Sequence, residues 1–202
     1  MALVTSKEIA TVIGLDKFGF IGTFVGWLLI RVLRISSINR IYKQNKTKQG
    51  LDFLNGVLDD CNIFFQIPEE DLKRIPKEGA FITVSNHPLG GIDGVLLLKL
   101  LIEKRTDYKI IGNFLLHRIE PLQPYIMPVN PFENRKDAKS SVAGIKNSLL
   151  HLQEGKPLGI FPAGEVSTFK DGKLKVDKPW EESAVMLKTV SYFISFQKLV
   201  TL

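Results

Sequence analysis

The chain has 202 residues, 45% hydrophobic and 24% charged, which suits one domain with a sizeable core and excludes a disordered or fibrous protein. A single cysteine, Cys61, and three scattered histidines exclude an internal disulfide framework and offer no zinc-site spacing. The net charge of +6 lies wholly in residues 1–50, where eight Lys and Arg face two acids, while the remainder holds 19 of each sign.

The chain therefore divides into a basic N-terminal segment, 1–50, and a neutral body, 51–202. Phe18–Ile30 reads FGFIGTFVGWLLI, thirteen residues without a charge, and six cations with no acid follow from Arg31 to Lys48. A transmembrane helix needs about 20 apolar residues, so a run of this length suits a helix lying in the membrane interface. Snorkelling of Arg31 and Arg34 would extend the apolar reach to Ile35 and leaves spanning open. Charged residues precede the run and no small-residue cleavage site closes it, so it makes a poor signal peptide. Phe18, Phe20, Phe24 and Trp27 beside the basic run point to a membrane surface and not to nucleic acid, for which no aromatic–basic interleaving is present. Gly22 and Gly26 form a GxxxG pattern, yet glycines in so short a helix chiefly weaken it, and the pattern carries little weight as a packing face.

In the body, Leu51, Leu54, Val57, Leu58 and Cys61 recur at helical spacing and predict a helix over 51–61. Ala80–Ser85 (AFITVS) reads as a buried strand after the Pro76–Gly79 turn. Asp93 is placed to N-cap the next helix, DGVLLLKLLIEKR. Tyr108–Gly112 and Ile126–Val129 follow as strands, Lys136–Gln153 as an amphipathic helix ended by Gly155, Leu158–Phe161 as a strand and Glu181–Val190 as a helix. Strands separated by helices of this length predict an α/β fold with a mixed, largely parallel sheet flanked by helices.

Two strand ends carry the chemistry. The first reads NHPLGGIDG, from Asn86 to Gly94. A histidine such as His87 can take a proton from a hydroxyl at neutral pH, and Asp93, six residues on, can accept from the other ring nitrogen and hold the tautomer. Gly90 and Gly91 allow the tight loop that brings the two together. No G-x-S-x-G elbow supplies a serine nucleophile, so the pair suits direct base catalysis on an acceptor hydroxyl. The bland alternative is an ordinary βα turn with a capping aspartate. The second strand end reads FPAGEVS, from Phe161 to Ser167, where Pro162 and Gly164 shape a turn that presents Glu165 beside the same crevice if the two strands are neighbours.

Together the two motifs resemble the first and third blocks of the glycerolipid acyltransferase superfamily, over roughly residues 40–185. The resemblance implies a membrane-associated acyltransferase, 1-acylglycerol-3-phosphate acyltransferase-like. It would move a fatty acyl group from an acyl-carrier-protein (acyl-ACP) or acyl-coenzyme A thioester to a lysolipid hydroxyl. His87 would be the base, Asp93 its partner, and no metal or resident cofactor would be required. Asn86, Gly90, Gly91, Phe161, Pro162, Gly164, Glu165 and Ser167 would line the substrate site. The expected place is the cytoplasmic face of the inner membrane.

The match departs from the family pattern at three places. One extra residue separates His87 from Asp93 relative to H-x-x-x-x-D. Block three, usually F-P-E-G-T-R-S, carries Ala163 and Val166 at its Glu and Arg positions. The second-block arginine is replaced in PVNPF, with Arg135 the nearest cation and a candidate substrate ligand. These losses speak against a phosphate-headed acceptor, and the N-H-P-x-G-G variant resembles a bacterial lysophospholipid acyltransferase or haemolysin-like branch related to enzymes that finish ornithine- or glycine-type aminolipids. Beyond Leu187 the chain runs into SYFISFQKLVTL instead of a family-like V-P-V strand. The expectation is a truncated C-terminus, an uncovered strand edge and a short form with little activity. The rival readings are a non-catalytic lipid-surface remnant of the fold and a soluble hydrolase.

Overall fold

A computed structural model describes residues 2–129, 138–164, 166, 169–170, 173–174 and 192–196. Four helices open the chain: α1 (Ser6–Val12), α2 (Phe20–Val32), α3 (Ile35–Asn45) and α4 (Gly50–Asp60), followed by the short α5 (Glu69–Lys73). The body continues through β1 (Phe81–Ser85), α6 (Gly91–Ile102), β2 (Lys109–Asn113), two 3₁₀ turns (Phe114–Arg118 and Glu120–Tyr125) and β3 (Ile126–Val129). Then come α7 (Ala138–Gln153), β4 (Leu158–Ile160), the two-residue strands β5 (Phe169–Lys170) and β6 (Lys173–Leu174), and β7 (Tyr192–Phe196).

The main sheet has the order β3-β2-β4-β1-β7, and every described pairing in it is parallel. Alternate residues of β1 face opposite layers, as strand geometry requires. Phe81 joins Leu97, Leu101 and Leu54 on the face covered by α6 and α4, whereas Ile82 and Val84 join Leu158, Ile160 and Leu152 under α7. The central strands β1 and β4 are thus buried on both sides, which explains the near-continuous apolar runs AFITVS and LGIF.

One expectation is overturned at the sheet edge. The run YFISF forms β7 and pairs with the whole of β1, from Phe81 beside Tyr192 to Ser85 beside Phe196. The expected uncovered strand edge is therefore not found at β1, which β7 covers along its length. Aromatic and β-branched residues favour the extended state, and that suffices here without the V-P-V signature. The predicted 181–190 helix lies outside the described residues.

Gly159 sits mid-strand in β4, between β1 and β2. The Tyr108 side chain passes beneath it to reach Thr83 on β1, with the two hydroxyls 2.6 Å apart and both residues fully buried. A methyl on Gly159 would lie 1.9 Å from the Tyr108 hydroxyl. Burial pushes the Tyr108 phenol well above its ordinary range, against the opposing pull of the Thr83 hydrogen bond.

The amino ends of the strands are clamped by Arg105, which is 7% exposed. Its guanidinium donates to both carboxylate oxygens of Asp107 at 2.9 and 2.8 Å, to the Gly79 carbonyl at 2.9 Å and to the Gly155 carbonyl at 3.3 Å. Nearby, the buried His151 places Nε2 3.1 Å from the Pro157 carbonyl. Burial holds the His151 pKa below its usual value, and the Arg105 hydrogen bond holds the Asp107 carboxyl low. Both shifts have the same sign: the unfolded chain binds protons more readily, so stability falls as the medium becomes acidic. Thermal unfolding should be insensitive to pH between about 7 and 8, and the midpoint should decline below the unfolded histidine value of about 6.5. A second decline is expected below about 3.9, where unfolded aspartates protonate. In His151→Gln the first decline should shrink and the second persist; an unchanged first decline would remove His151 as its source.

In the N-terminal segment, α1 begins with a capping box between Thr5 and Glu8 and packs against α2. Contrary to the sequence reading, Gly22 and Gly26 form the packing face. Added methyls would stand 1.9 Å from the Leu15 carbonyl oxygen and 2.2 Å from the Ser6 carbonyl oxygen, so only glycine permits this backbone approach. Phe20, Ile21, Phe24, Trp27 and Leu28 are left exposed on α2, with Val12 exposed on α1. Among the described residues no single helix is long and apolar enough to cross a membrane; α2 and α3 together would pass by length and composition but are bent by 80° at Leu33–Arg34. The hairpin is tied to the rest of the molecule through Arg118 with Glu8, and through Asn39, whose side-chain amide exchanges two hydrogen bonds with the Val4 backbone at 2.8 and 2.9 Å.

Candidate active site

The parallel arrangement places the carboxyl ends of all five strands on one rim, where α/β sheets bind ligands. The chain leaves β1 at Ser85 and turns through the half-buried Asn86 and His87. Gly90 then opens α6 with φ +66° and ψ −128°, a backbone conformation that L side chains rarely adopt. This corrects the expected cap: Gly90, not Asp93, occupies the N-cap. The helix starts at Gly91, which puts Asp93 in its first turn, where the partial positive charge of the helix end favours a carboxylate.

From that position Asp93 Oδ2 reaches back to accept the Leu89 N–H at 2.7 Å and lies 3.2 Å from His87 Nδ1. The extra residue in the motif is absorbed by the turn at Gly90, and the pair still meets. Asp93 is 7% exposed and His87 19%, so the carboxylate is shielded while an edge of the imidazole remains reachable. A carboxylate at Nδ1 favours the tautomer with hydrogen on that nitrogen and leaves the Nε2 lone pair to accept a proton.

The second motif closes over the first because β4 lies next to β1, with Val84 level with Ile160. Phe161 stacks on the His87 ring, with centroids 4.1 Å apart and planes inclined by 17°. Pro162 and Ala163 are buried, and the turn closes through the Gly164 N–H donating to the Phe161 carbonyl at 3.0 Å, with Gly164 at φ +65°. A side chain on Gly90 would begin 3.5 Å from Val166 Cγ2, so the loop after β4 covers the loop after β1. Gly91 is exposed, with open space beside it. Glu165, Ser167 and Arg135 lie outside the described residues. Among the described residues no group of three or more His, Cys, Asp or Glu is placed to share a metal ion.

The sequence reading assigned Phe161 to substrate and missed its contact with the imidazole. No one-dimensional signal pairs residues 74 positions apart, although a phenylalanine at the end of a strand neighbouring β1 was a candidate once the strand order was known.

A family model described as acyltransferase matches residues 16–200. The lyso-glycine lipid O-acyltransferase of Bacteroides thetaiotaomicron is 28% identical over 172 residues, covering 84% of this chain and 60% of the relative. The lyso-glycine lipid O-acyltransferase of Phocaeicola vulgatus is 30% identical over 172 residues, covering 84% of this chain and 58% of the relative. The chain thus spans about three fifths of the length of the curated relatives it matches. With the family match running through both strand-end motifs and nearly the whole length of the sequence, the chain belongs to the acyltransferase family.

Proposed function

We propose that the protein transfers a fatty acyl group from an acyl-ACP or acyl-coenzyme A thioester to the hydroxyl of a lysolipid, with His87 as general base. The observation that carries this reading is the shielded His87–Asp93 pair on the carboxyl rim of the sheet in a chain of the acyltransferase family. The acceptor hydroxyl donates to Nε2, its oxygen attacks the thioester carbonyl as the proton moves to the imidazole, and the tetrahedral intermediate expels the thiolate. The proton then returns from Nε2 to the leaving sulfur, so the products are an ester and a free thiol.

The acceptor is best sought among amino-acid-headed lysolipids. Val166 occupies the place of a phosphate-binding arginine and offers no donor, whereas phosphate recognition favours the bidentate guanidinium. Both curated relatives carry the name lyso-glycine lipid O-acyltransferase. In a thioester-consumption assay across a panel of lysolipids, a lyso-glycine lipid should be turned over at least as well as lysophosphatidate. A strong preference for lysophosphatidate that disappears in Arg135→Ala would reverse this assignment and make Arg135 a phosphate ligand. No consumption with any acceptor would leave the non-catalytic lipid-binding reading.

The exposed apolar face of α2 and the cations of α3 support docking on the cytoplasmic leaflet of the inner membrane. Arg31 lies 5.3 Å over the Trp27 ring, which couples the aromatic face to the basic one. Each cation near an anionic surface contributes about 1 kcal/mol, so Arg40→Gln with Lys43→Gln should weaken binding to phosphatidylglycerol vesicles by about 30-fold at low salt. High salt should weaken the wild type in the same direction. Sedimentation with vesicles measures both, and indifference to charge and salt alike would count against a peripheral, partly electrostatic attachment.

A further inference from the structure

Among the described residues, Asp93 and Phe161 hold His87 by contacts of different kinds. The carboxylate of Asp93 fixes one atom of the ring, at Nδ1, 3.2 Å away. A contact at one atom does not by itself set the plane of the ring. Phe161 acts on the plane itself, because its ring lies face to face with the imidazole, centroids 4.1 Å apart and 17° from parallel. Phe161 is itself held from behind, packed against the core cluster that contains Leu97 and Ile110. The following Pro162 and Ala163 are buried and stiffen its backbone.

We propose that Phe161 is a positioning residue, which fixes the plane of the His87 imidazole so that Nε2 points at the acceptor hydroxyl and which stabilises the imidazolium formed as the proton arrives. The inference rests on His87 being the base in the function proposed above. The aromatic face carries partial negative charge and attracts a cation more than a neutral ring. Its contribution is therefore larger in the transition state, where the imidazole has gained a proton, than in the bound ground state. An interaction of that kind appears in kcat and leaves KM alone.

The test uses the full chain with Phe161→Leu, which keeps an apolar side chain but removes the aromatic face, and Phe161→Tyr, which retains the face. Phe161→Leu should lower kcat by roughly 3- to 30-fold, the range a cation over an aromatic ring supplies, with KM for both substrates unchanged. Phe161→Tyr should keep most of the activity. Independently of turnover, the His87 ring-proton resonances, assigned by their loss in His87→Gln, should be shifted upfield in the wild type by the phenyl ring current. Phe161→Leu should return them to ordinary positions. An active wild type with full kcat in Phe161→Leu, or a loss confined to KM, overturns the proposal, the latter by making Phe161 a substrate contact. Ordinary His87 resonances in the wild type overturn the stack even if the leucine variant fails to fold. A wild type with shifted resonances but no acyl transfer brings down the catalytic role together with the proposed function, an outcome separate from either of these.

Discussion

Replacing His87 with alanine should slow acyl transfer by about 100- to 10,000-fold, the contribution of a positioned general base. Thermal stability should change little, because the imidazole is partly exposed and its stacking partner Phe161 retains its packing against the core. Asp93→Asn should also lose most of the activity while folding normally. Its amide oxygen can still accept the Leu89 N–H, but the neutral group no longer selects the tautomer with Nε2 unprotonated. Initial rates with a saturating thioester, together with thermal melts of the same samples, separate chemistry from folding. Near-full activity in His87→Ala would remove it as the base. Full activity in Asp93→Asn would reduce Asp93 to a structural brace for the loop at Leu89.

Gly159→Ala should damage the fold more than its single methyl suggests. The Tyr108 hydroxyl occupies the space the new carbon needs, the next ring atom lies 2.8 Å from it, and Thr83 Oγ1 lies 3.1 Å away. The ring is fully buried and cannot swing aside without breaking its hydrogen bond to Thr83. Overpacking and a separated pair of buried hydroxyls together cost about 3–5 kcal/mol, a large share of the roughly 5–15 kcal/mol that holds a domain folded. Tyr108→Phe alone leaves the Thr83 hydroxyl unpaired, yet combined with Gly159→Ala it removes the first obstacle. The double variant should therefore be less destabilised than the two single effects added together. Urea titrations of the four proteins measure this coupling. A Gly159→Ala protein with the wild-type midpoint would show that the tyrosine can yield after all.

The contrast between Gly159 and the His–Asp pair shows what a single sequence exposes. His87 and Asp93 lie six positions apart on one loop, and local turn geometry together with the chemistry of the two side chains was enough to pair them. The parallel sheet was likewise readable, because buried strands such as AFITVS and LGIF carry long apolar runs between helical periods. Gly159 gave only the weak signal of a glycine inside a strand, which means close approach by something unspecified. The something was Tyr108, the residue just before the neighbouring strand β2. Gly22 and Gly26 were misjudged for the same reason: propensity counts their cost to an isolated helix, whereas their value comes from α1 lying against them. The cap at Gly90 was missed because a carboxylate near a helix start satisfies the capping pattern whether it sits at the N-cap or, as here, inside the first turn.

The parallel pairing of β7 with β1 has a practical consequence for handling this protein. Because Phe196 is level with Ser85, the chain leaves β7 on the same rim as the His87 loop. An affinity tag or fluorescent reporter fused directly after β7 is therefore attached on the rim that carries the His87–Asp93 pair, the site of the proposed reaction. Reporters are better inserted at the opposite rim, for instance in the exposed Lys77–Gly79 turn that leads into the amino end of β1. There, growth of the loop is on the far side of the sheet from the His87–Asp93 pair.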